Sequence, residues 1–442
     1  METWDLFLDY DARAWSQAQR VKDLLPRLKA KAAATQAPIL AMLEEAGTAV
    51  EPGSVRSFWI TNILFAKVQK SVLVELSNRP DVQLLDWNAP LDLVESVDEG
   101  PAPPVEPNGT EPGLEAINAP ALWAMGYTGY GTVNFVNDTG VDPNHPALKP
   151  QYRGLYRGDD ESWFQFQGVN NGPYDCVDHG THVAGIMQGL NRATHDTTGV
   201  AFNSQWIGGA ILCGIGTSDN IAAFQWALDP DNDENTVDDM PDVLNNSWRD
   251  SSLDDDCTSV YVNVLNALEA AGIAVVFSAG NAGPGVQTIT PPHNINTDLV
   301  NVFCVGSLDA NSASLSIANS SSRGPSNCGG DSSLLIKPEV SAPGVSVRSC
   351  LPGGSYGNKS GTSMAAPHAA GAILLLKEAF PDLLGYEIKE ALYFTCTDLG
   401  IPGEDNTFGM GIINVEAAFN YLVDAGHLPV DPQVENDVQL VR

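Results

Sequence analysis

Basic side chains are scarce in this chain of 442 residues: 22 Lys and Arg stand against 55 Asp and Glu, a formal net charge of −33 at pH 7. Nucleic acid and anionic membrane surfaces are also negative, so we expect this chain to bind neither. The sequence also lacks an apolar run of 18 residues and a recognisable signal peptide. With 43% hydrophobic residues, it can still build a large core and two or three domains.

The shortage of basic residues is confined to one part of the chain. Residues 1–92 carry a net charge of −2, whereas residues 93–442 carry −31. Between the two parts, residues 99–113 contain five prolines, which lack the amide donor that a helix or a central strand needs. We therefore predict four segments. They are a small domain (1–92), an exposed, cleavable Pro-rich linker (93–112), a large domain (113–425) and a C-terminal tail (426–442).

The small domain has the element order βαββαβ, typical of a ferredoxin-like α+β fold. Its strands are predicted at residues 4–10, 55–60, 63–68 and 82–87, and its helices at residues 15–46 and 71–78. No His occurs in the domain, and no cluster of carboxylates or thiols. We therefore expect it to bind or chaperone rather than to catalyse.

The large domain alternates strands with helices, which predicts an α/β, doubly wound, mostly parallel sheet covered on both faces. Its strands are predicted at residues 133–137, 206–213, 243–246, 273–278 and 300–305. Its helices are predicted at residues 180–190, 220–228, 259–271, 363–380 and 386–395. Ligands bind such sheets at the carboxyl ends of the strands, so Asp138, Ser247 and Asn281, which follow strands, are candidates for chemistry.

Four motifs place an acid, an imidazole and a hydroxyl in a fixed order. They are Asp138-Thr-Gly-Val-Asp142, Asp178-His-Gly-Thr-His182, Ser278-Ala-Gly-Asn281 and Gly361-Thr-Ser-Met-Ala-Ala-Pro367. Together they resemble the subtilisin-like serine proteases, in which Asp, His and Ser follow one another in this order. Within that family the resemblance is greatest to the bacillopeptidase F type, on Asn245-Asn-Ser-Trp248 and Lys337-Pro-Glu-Val-Ser-Ala-Pro-Gly344. The small domain resembles the inhibitory propeptide of the family, on Phe58-Trp-Ile-Thr-Asn62 and Arg79-Pro-Asp-Val82.

The resemblance implies a serine endopeptidase that is made as a self-processing zymogen. Asp138, His179 and Ser363 would be its catalytic residues, because a serine hydroxyl needs an oriented imidazole to accept its proton. Asn281 and the backbone N–H of Ser363 would stabilise the oxyanion, with Thr362 as a further donor. Substrate would lie along Ser247, Trp248, Arg249 and Gly280. The segment after Trp87 would occupy the same place as a product-like peptide, and mature enzyme would begin between Val94 and Glu111.

Metal sites find less support in the sequence. The His179-Gly-Thr-His182 motif lacks the Glu of a zinc-protease motif, so His182, like His368, is predicted to be structural and no metal ligand is assigned. The acidic stretch over residues 229–242 lacks the Gly and Glu of an EF-hand, so a solvated loop is favoured over a calcium site. No cofactor is required, although structural calcium stays an open alternative. Ala147 occupies a place where relatives often have a calcium-binding carboxylate.

The seven cysteines fit no metal spacing, and their odd number leaves at least one unpaired. Cys213 and Cys304 are predicted to be buried thiols, and a Cys328–Cys350 disulfide is as favoured as its absence. A propeptide indicates export, so we expect a secreted or extracellular monomer whose partners are protein or peptide substrates and its own propeptide. The alternative is a catalytically silent relative that binds peptides.

Overall fold

The computed structural model describes residues 14–101, 109–165, 170–214, 216–253, 260–329 and 332–432, together with residues 3, 6, 10 and 257. Its strands are β1 (Arg56–Phe58), β2 (Ile63–Phe65), β3 (Asp92–Leu93), β4 (Val97–Pro101), β5 (Val133–Asp138), β6 (Trp163–Phe164), β7 (Leu190–Asn191), β8 (Asp196–Thr197), β9 (Gln205–Ala210), β10 (Val243–Asn246), β11 (Trp248–Arg249), β12 (Ala274–Ser278), β13 (Phe303–Leu308), β14 (Val340–Pro343), β15 (Val347–Leu351) and β16 (Ser355–Ser360). Its helices are α1 (Gln17–Glu45), α2 (Lys70–Ser77), α3 (Pro112–Ala116), α4 (Ala119–Met125), α5 (Gly154–Arg157), α6 (His179–Gln188), α7 (Thr217–Ala227), α8 (Val260–Ala270), α9 (Ser332–Leu335), α10 (Thr362–Ala379), α11 (Gly385–Phe394) and α12 (Val415–Asp424).

The large domain is built on a seven-stranded parallel sheet in the order β14-β13-β12-β10-β5-β9-β6. The five predicted strands form its centre, with β6 and β14 added at the edges. All five predicted helices are present as α6, α7, α8, α10 and α11. The predicted α/β doubly wound fold is therefore confirmed.

Helices cover both faces of this sheet because successive strand residues point to opposite sides. Along β5, Val136 packs into a core with α6, α10, α11 and α12, whereas Val133 and Phe135 pack into a second core with α7 and α8. In β12 the same alternation separates Val276 from Phe277. Strands that are buried on both sides read as continuous apolar runs, which is why their positions could be predicted.

The small domain docks on the second of these cores. The apolar face of α1, with Leu24, Leu25 and Leu28 fully buried, belongs to the same hydrophobic cluster as Phe224 and Tyr261 of the large domain. Its basic residues meet acidic ones: Lys29 Nζ lies 2.7 Å from Asp229 and Arg56 lies 2.9 Å from Asp219. Basic side chains of the near-neutral small domain thus form ion pairs with carboxylates of the acidic large domain.

Only part of the predicted βαββαβ order is present. Helices α1 and α2 and the antiparallel β1–β2 pair lie where expected, while the predicted strand at residues 4–10 lies mostly outside the described residues. The predicted strand at residues 82–87 is wrong, because the structure assigns no strand to this segment, and Leu84 and Trp87 are 57% and 67% exposed. Alternating apolar residues make a strand only where a neighbouring strand accepts their backbone hydrogen bonds.

The first residues of the predicted linker form regular secondary structure, which the sequence does not predict. Asp92–Leu93 and Val97–Pro101 are short strands, and β4 pairs with β16. Pro101 is tolerated there because β4 lies at the edge of its small sheet, where one side of the strand needs no amide donor. Residues 102–108, the most Pro-rich part, lie outside the described residues.

Two disulfides connect distant parts of the large domain. Cys176 pairs with Cys213 and Cys257 with Cys328, whereas Cys304, Cys350 and Cys396 are free. The prediction for Cys304 is thus confirmed. The prediction of a free Cys213 is wrong, because the fold brings together loops that are far apart in sequence. Of the two alternatives left open for Cys328 and Cys350, the absence of a bond between them is the one observed. The Cys176–Cys213 bond ties the loop before α6 to the end of β9.

The acidic stretch over residues 229–242 folds back on itself. Asp231 accepts the N–H of Asp233 and the hydroxyl of Thr236, and Asp239 accepts the N–H of Asp231. Asp239 is buried, and burial together with the nearby Asp231 carboxylate raises its pKa to about 6. The loop is therefore less solvated than the sequence predicts, since one of its carboxylates lies inside it.

Asp239→Asn is expected to stabilise the fold above pH 6. A pKa raised from 3.8 to about 6 means that stability is lost as the pH rises from about 4 to 6, because the carboxyl ionises first in the unfolded chain. The neutral amide removes this cost while keeping an oxygen for the N–H of Asp231. The thermal midpoint of the variant should exceed that of the parent at pH 8 and match it near pH 4. The exposed Asp233, whose pKa is lowered by hydrogen bonds to Asn235, supplies the control Asp233→Asn, which should not stabilise. An equal effect of Asp239→Asn at both pH values would contradict the assignment.

Candidate active site

Asp138 and His179 face each other at the carboxyl edge of the central sheet. Asp138 is the last residue of β5, and His179 is the first residue of α6. Nδ1 of His179 lies 2.8 Å from Oδ1 of Asp138, and both side chains are buried. The same oxygen accepts the backbone N–H of Thr139 at 2.7 Å, which fixes the carboxylate. An imidazole held in this way carries a proton on Nδ1 and presents Nε2 as an acceptor.

Ser363 and Asn281 form the second half of the site. Ser363 lies in the first turn of α10, and Asn281 follows β12. Asn281 Oδ1 accepts both the N–H and the hydroxyl of Thr362, at 2.9 and 3.0 Å. These two bonds turn the amide group so that its Nδ2 is directed outward as a donor. Thr362 thus positions Asn281, and its hydroxyl is not the further oxyanion donor that we expect from the sequence, because its only proton is already used.

Gly280 supports this arrangement through its backbone. Its N–H donates to the Thr362 hydroxyl oxygen at 3.0 Å, and its φ of +100° lies in the region that favours glycine. A Cβ at this position would come within 2.9 Å of Ser322 Oγ. Gly280 thus contacts Thr362, the residue that positions Asn281. Its predicted role in substrate binding stays a prediction.

A segment of the chain itself lies across the site. Strand β3 pairs antiparallel with β11, with Asp92 opposite Arg249 and Leu93 opposite Trp248. The N–H of Val94 then donates to the carbonyl oxygen of Ser247 at 3.2 Å. The structure thus has residues 92–94 in the extended place along Ser247 that the sequence predicts for the segment after Trp87.

The two halves of the site meet this segment at consecutive carbonyl groups. Ser363 Oγ donates to the carbonyl oxygen of Val94 at 2.9 Å, and Asn281 Nδ2 donates to that of Glu95 at 2.6 Å. A serine hydroxyl has one proton, so it cannot donate to His179 at the same time. Accordingly, the buried Nε2 of His179 has no hydrogen-bond partner among the described residues. The Ser363 hydroxyl is thus hydrogen-bonded to the bound segment, and His179 Nε2 does not accept its proton in this state.

The predicted substrate-binding residues of β11 differ in what they offer. Trp248 is fully buried in the second core, and its Nε1 donates to Asn246 Oδ1 at 3.1 Å. Arg249 is half-exposed, and its Nε lies 3.7 Å from Asp92 Oδ2. Arg249 therefore places a positive charge beside the bound segment, whereas the buried Trp248 offers it no polar group.

The other histidines of the motifs are structural. His182 Nε2 lies 3.1 Å from the carbonyl oxygen of Gly357, and burial lowers its pKa to about 3. His368 Nδ1 lies 2.8 Å from the carbonyl oxygen of Met364, and burial lowers its pKa to about 4. Both rings are therefore neutral at pH 7. Within the described residues, no three His, Cys, Asp or Glu side chains are grouped so as to hold a metal ion.

Sequence reasoning missed the contacts that three residues make in this site. The register of Asp92 and Val94 and the positioning role of Thr362 depend on pairings with residues more than 80 positions away, which no local pattern reveals. The only available signal was Thr362 itself, directly before the candidate nucleophile.

In the part of the chain that the structure describes, no helix is both long enough and apolar enough to cross a membrane.

Comparisons with known proteins identify the family of the chain. Residues 130–411 match the subtilase family. Bacillopeptidase F from Bacillus subtilis (strain 168) is 33% identical over 457 residues, which cover 96% of this chain but only 30% of that protein. A subtilisin from Bacillus pumilus is 31% identical over 310 residues, covering 69% of this chain and 97% of the relative. Subtilisin E from Bacillus subtilis (strain 168) is 31% identical over 312 residues, covering 69% of this chain and 70% of that protein.

Proposed function

The chain belongs to the subtilase family, and we propose that it is a serine endopeptidase, made as a zymogen that cleaves itself. The observation that carries the proposal is the segment of its own chain bound between Ser363, Asn281 and Ser247 in an extended, antiparallel conformation. Backbone pairing of this kind recognises a peptide largely independently of its side chains. It supports a peptide-cleaving site that its own N-terminal domain fills.

The residues of the site divide the reaction between them. When the Ser363 hydroxyl turns from Val94 to the vacant Nε2 of His179, the imidazole takes its proton while Oγ bonds to the peptide carbonyl carbon. Asp138 stabilises the imidazolium that forms. Asn281 Nδ2 and the N–H of Ser363, at the start of α10, stabilise the oxyanion. The C–N bond then breaks, the leaving amine takes the proton from His179, and water hydrolyses the acyl-enzyme by the same steps in reverse.

We propose that residues 1–92 act as the inhibitory propeptide. The support is their apolar docking face, the ion pairs of Lys29 and Arg56, and the chain that continues from them into the site. Export to an oxidising compartment is supported by the two disulfides, which are rare in proteins of the reducing cytoplasm. Structural calcium and a monomeric state stay predictions.

A serine-directed fluorophosphonate tests the proposed activity. An activated Ser363 forms a covalent adduct at once, and peptide mapping should place the adduct on this residue in the processed chain. The unprocessed chain should react slowly, because residues 92–95 cover the hydroxyl. Processed, folded protein that fails to react would favour the catalytically silent, peptide-binding alternative.

Residues 1–94, added to the processed enzyme, are expected to inhibit peptide hydrolysis competitively. The same domain cut back to Trp87 should bind more weakly, because it lacks the backbone pairing with β11 and the bond to Ser363. Arg56→Glu should weaken inhibition at least about tenfold, equivalent to about 1.4 kcal/mol, since it places a carboxylate against the buried Asp219. The inhibition constant is the measurement, and Lys70→Glu, an exposed site of equal charge change, is the control. Unchanged activity at micromolar concentrations of residues 1–94 would instead assign this domain to substrate recruitment.

A further inference from the structure

The register of the bound segment identifies which peptide bond faces the candidate nucleophile. Val94 donates its N–H to Ser247 and accepts the Ser363 hydroxyl on its carbonyl oxygen, so both ends of this residue are held by the site. Its side chain is 4% exposed, whereas that of Glu95 is exposed. Ser363 thus faces the Val94–Glu95 bond, with a buried aliphatic side chain on its amino side. Asn281 Nδ2 holds the next carbonyl oxygen, that of Glu95, and has to move to that of Val94 to act as the oxyanion donor.

This register brings two opposite charges side by side. Asp92, two residues before Val94, lies directly across the antiparallel ladder from Arg249, and Arg249 Nε lies 3.7 Å from Asp92 Oδ2. Directly opposed residues of an antiparallel pair are the ones whose side chains interact. Among the described residues, Asp92 is the only carboxylate that forms an ion pair with Arg249.

Arg249 is unusual in its surroundings. Residues 93–442 contain 12 basic and 43 acidic side chains, so the field of the enzyme repels acidic peptides in general. Arg249 lies on β11, the strand that pairs with the peptide, and attracts a carboxylate at the one peptide position that it faces. Because that side chain is two-fifths exposed, its effect is local and sensitive to salt.

Resting on the proposed function, we propose that Arg249 is a specificity residue: it selects substrates with an Asp or Glu two residues before the residue whose carbonyl is attacked. The preferred substrates are acidic peptides in which this carboxylate precedes a buried aliphatic residue at the cleaved bond, as in Leu91-Asp-Leu-Val94. The segment that fills the site in the zymogen carries the sequence that the site prefers.

The experiment uses the self-processed full chain and quenched fluorescent peptides that span residues 89–99, with Asp, Asn or Lys in place of Asp92. For the wild type, kcat/KM should be about 2- to 5-fold higher with Asp than with Asn, as expected for an exposed ion pair, and lower again with Lys. Arg249→Gln should remove the difference between the Asp and Asn peptides, and Arg249→Glu should make Lys the best residue. The Asn peptide serves as the reference within each variant, which removes any general loss of activity. Arg157→Gln, a half-exposed arginine of the same domain, should keep the wild-type order.

The outcomes separate this proposal from the one it rests on. Cleavage of all three peptides with equal efficiency, or the same Asp-to-Lys ratio in wild type and Arg249→Glu, would overturn the role of Arg249 and leave the endopeptidase intact. Mass spectra should place the cut between Val and Glu, and a cut after Glu would overturn the register. No cleavage of any peptide, together with no fluorophosphonate adduct, would refute both proposals. The preference for Asp should also shrink in molar NaCl, and one that persists there would contradict an ionic origin.

Discussion

Ser363→Ala is expected to yield a folded, full-length chain that neither processes itself nor hydrolyses peptides. The change removes the only nucleophile proposed, and loss of a nucleophile that acts as a unit with its base costs about a million-fold in kcat. The Cβ remains, so the packing of the first turn of α10 is kept. Only one hydrogen bond to Val94, worth about 1 kcal/mol, is lost from the docked propeptide, so the inactive zymogen should stay closed.

Intact-mass spectrometry measures this result directly. Wild-type protein should lose its N-terminal segment during incubation, while Ser363→Ala keeps its full mass under the same conditions. Ser355→Ala, an exposed serine on β16, is the matched control and should process normally. Normal processing of purified Ser363→Ala, with no other protease present, would refute the assignment of the nucleophile.

The central sheet could be predicted because its cause is local. The strand over Ala274–Ser278 and the helix over Thr362–Ala379 are strongly apolar, and the predicted bounds differ from the observed ones by one residue at most. Burial on both faces of a parallel sheet demands such runs. The two-residue strand β6 contains too few residues for any periodicity to identify it.

What escaped prediction depends on partners far away in the sequence. Residues 82–87 alternate like a strand but do not form one in the structure, whereas Val97–Pro101, with a proline, becomes a strand because β16 lies beside it. Local patterns describe what a segment can do, and pairing decides what it does. The same reason explains the disulfide between Cys176 and Cys213, which are 37 residues apart.

The candidate site lies between these two cases. Asp138 and Asn281 follow strands of a parallel sheet, so their place at its carboxyl edge follows from the topology that the sequence predicts. The contact between Arg249 and Asp92, in contrast, arises only once β3 and β11 have paired in one register. The positions of the chemical groups could thus be predicted, but the pairing of Arg249 with Asp92 could not.

Asp138→Asn is expected to lower kcat by about 10⁴-fold while the protein stays folded. Asn has the size of Asp, and its oxygen can still accept the N–H of Thr139. The same oxygen faces His179 Nδ1 at 2.8 Å, so an amide that keeps the Thr139 bond keeps this contact without the negative charge. An amide turned the other way directs a donor at Nδ1 and holds the ring with its proton on Nε2, where it cannot accept the proton of Ser363. The imidazolium would also lose the negative charge that stabilises it.

Steady-state kinetics on the processed enzyme distinguishes this explanation from a loss of fold. Asp138 makes no hydrogen bond to residues 92–95, so KM should change little while kcat falls. Asp142→Asn makes the same chemical change four residues later, at a half-buried carboxylate that accepts the N–H groups of Asn144 and Gly353, and should leave kcat close to wild type. Because Asp138→Asn would also process slowly, the variant should be cleaved in trans by wild-type enzyme carrying a removable tag. A variant with wild-type kcat would mean that His179 needs no buried carboxylate. The proposed role of Asp138 in orienting and stabilising the imidazole would then be wrong.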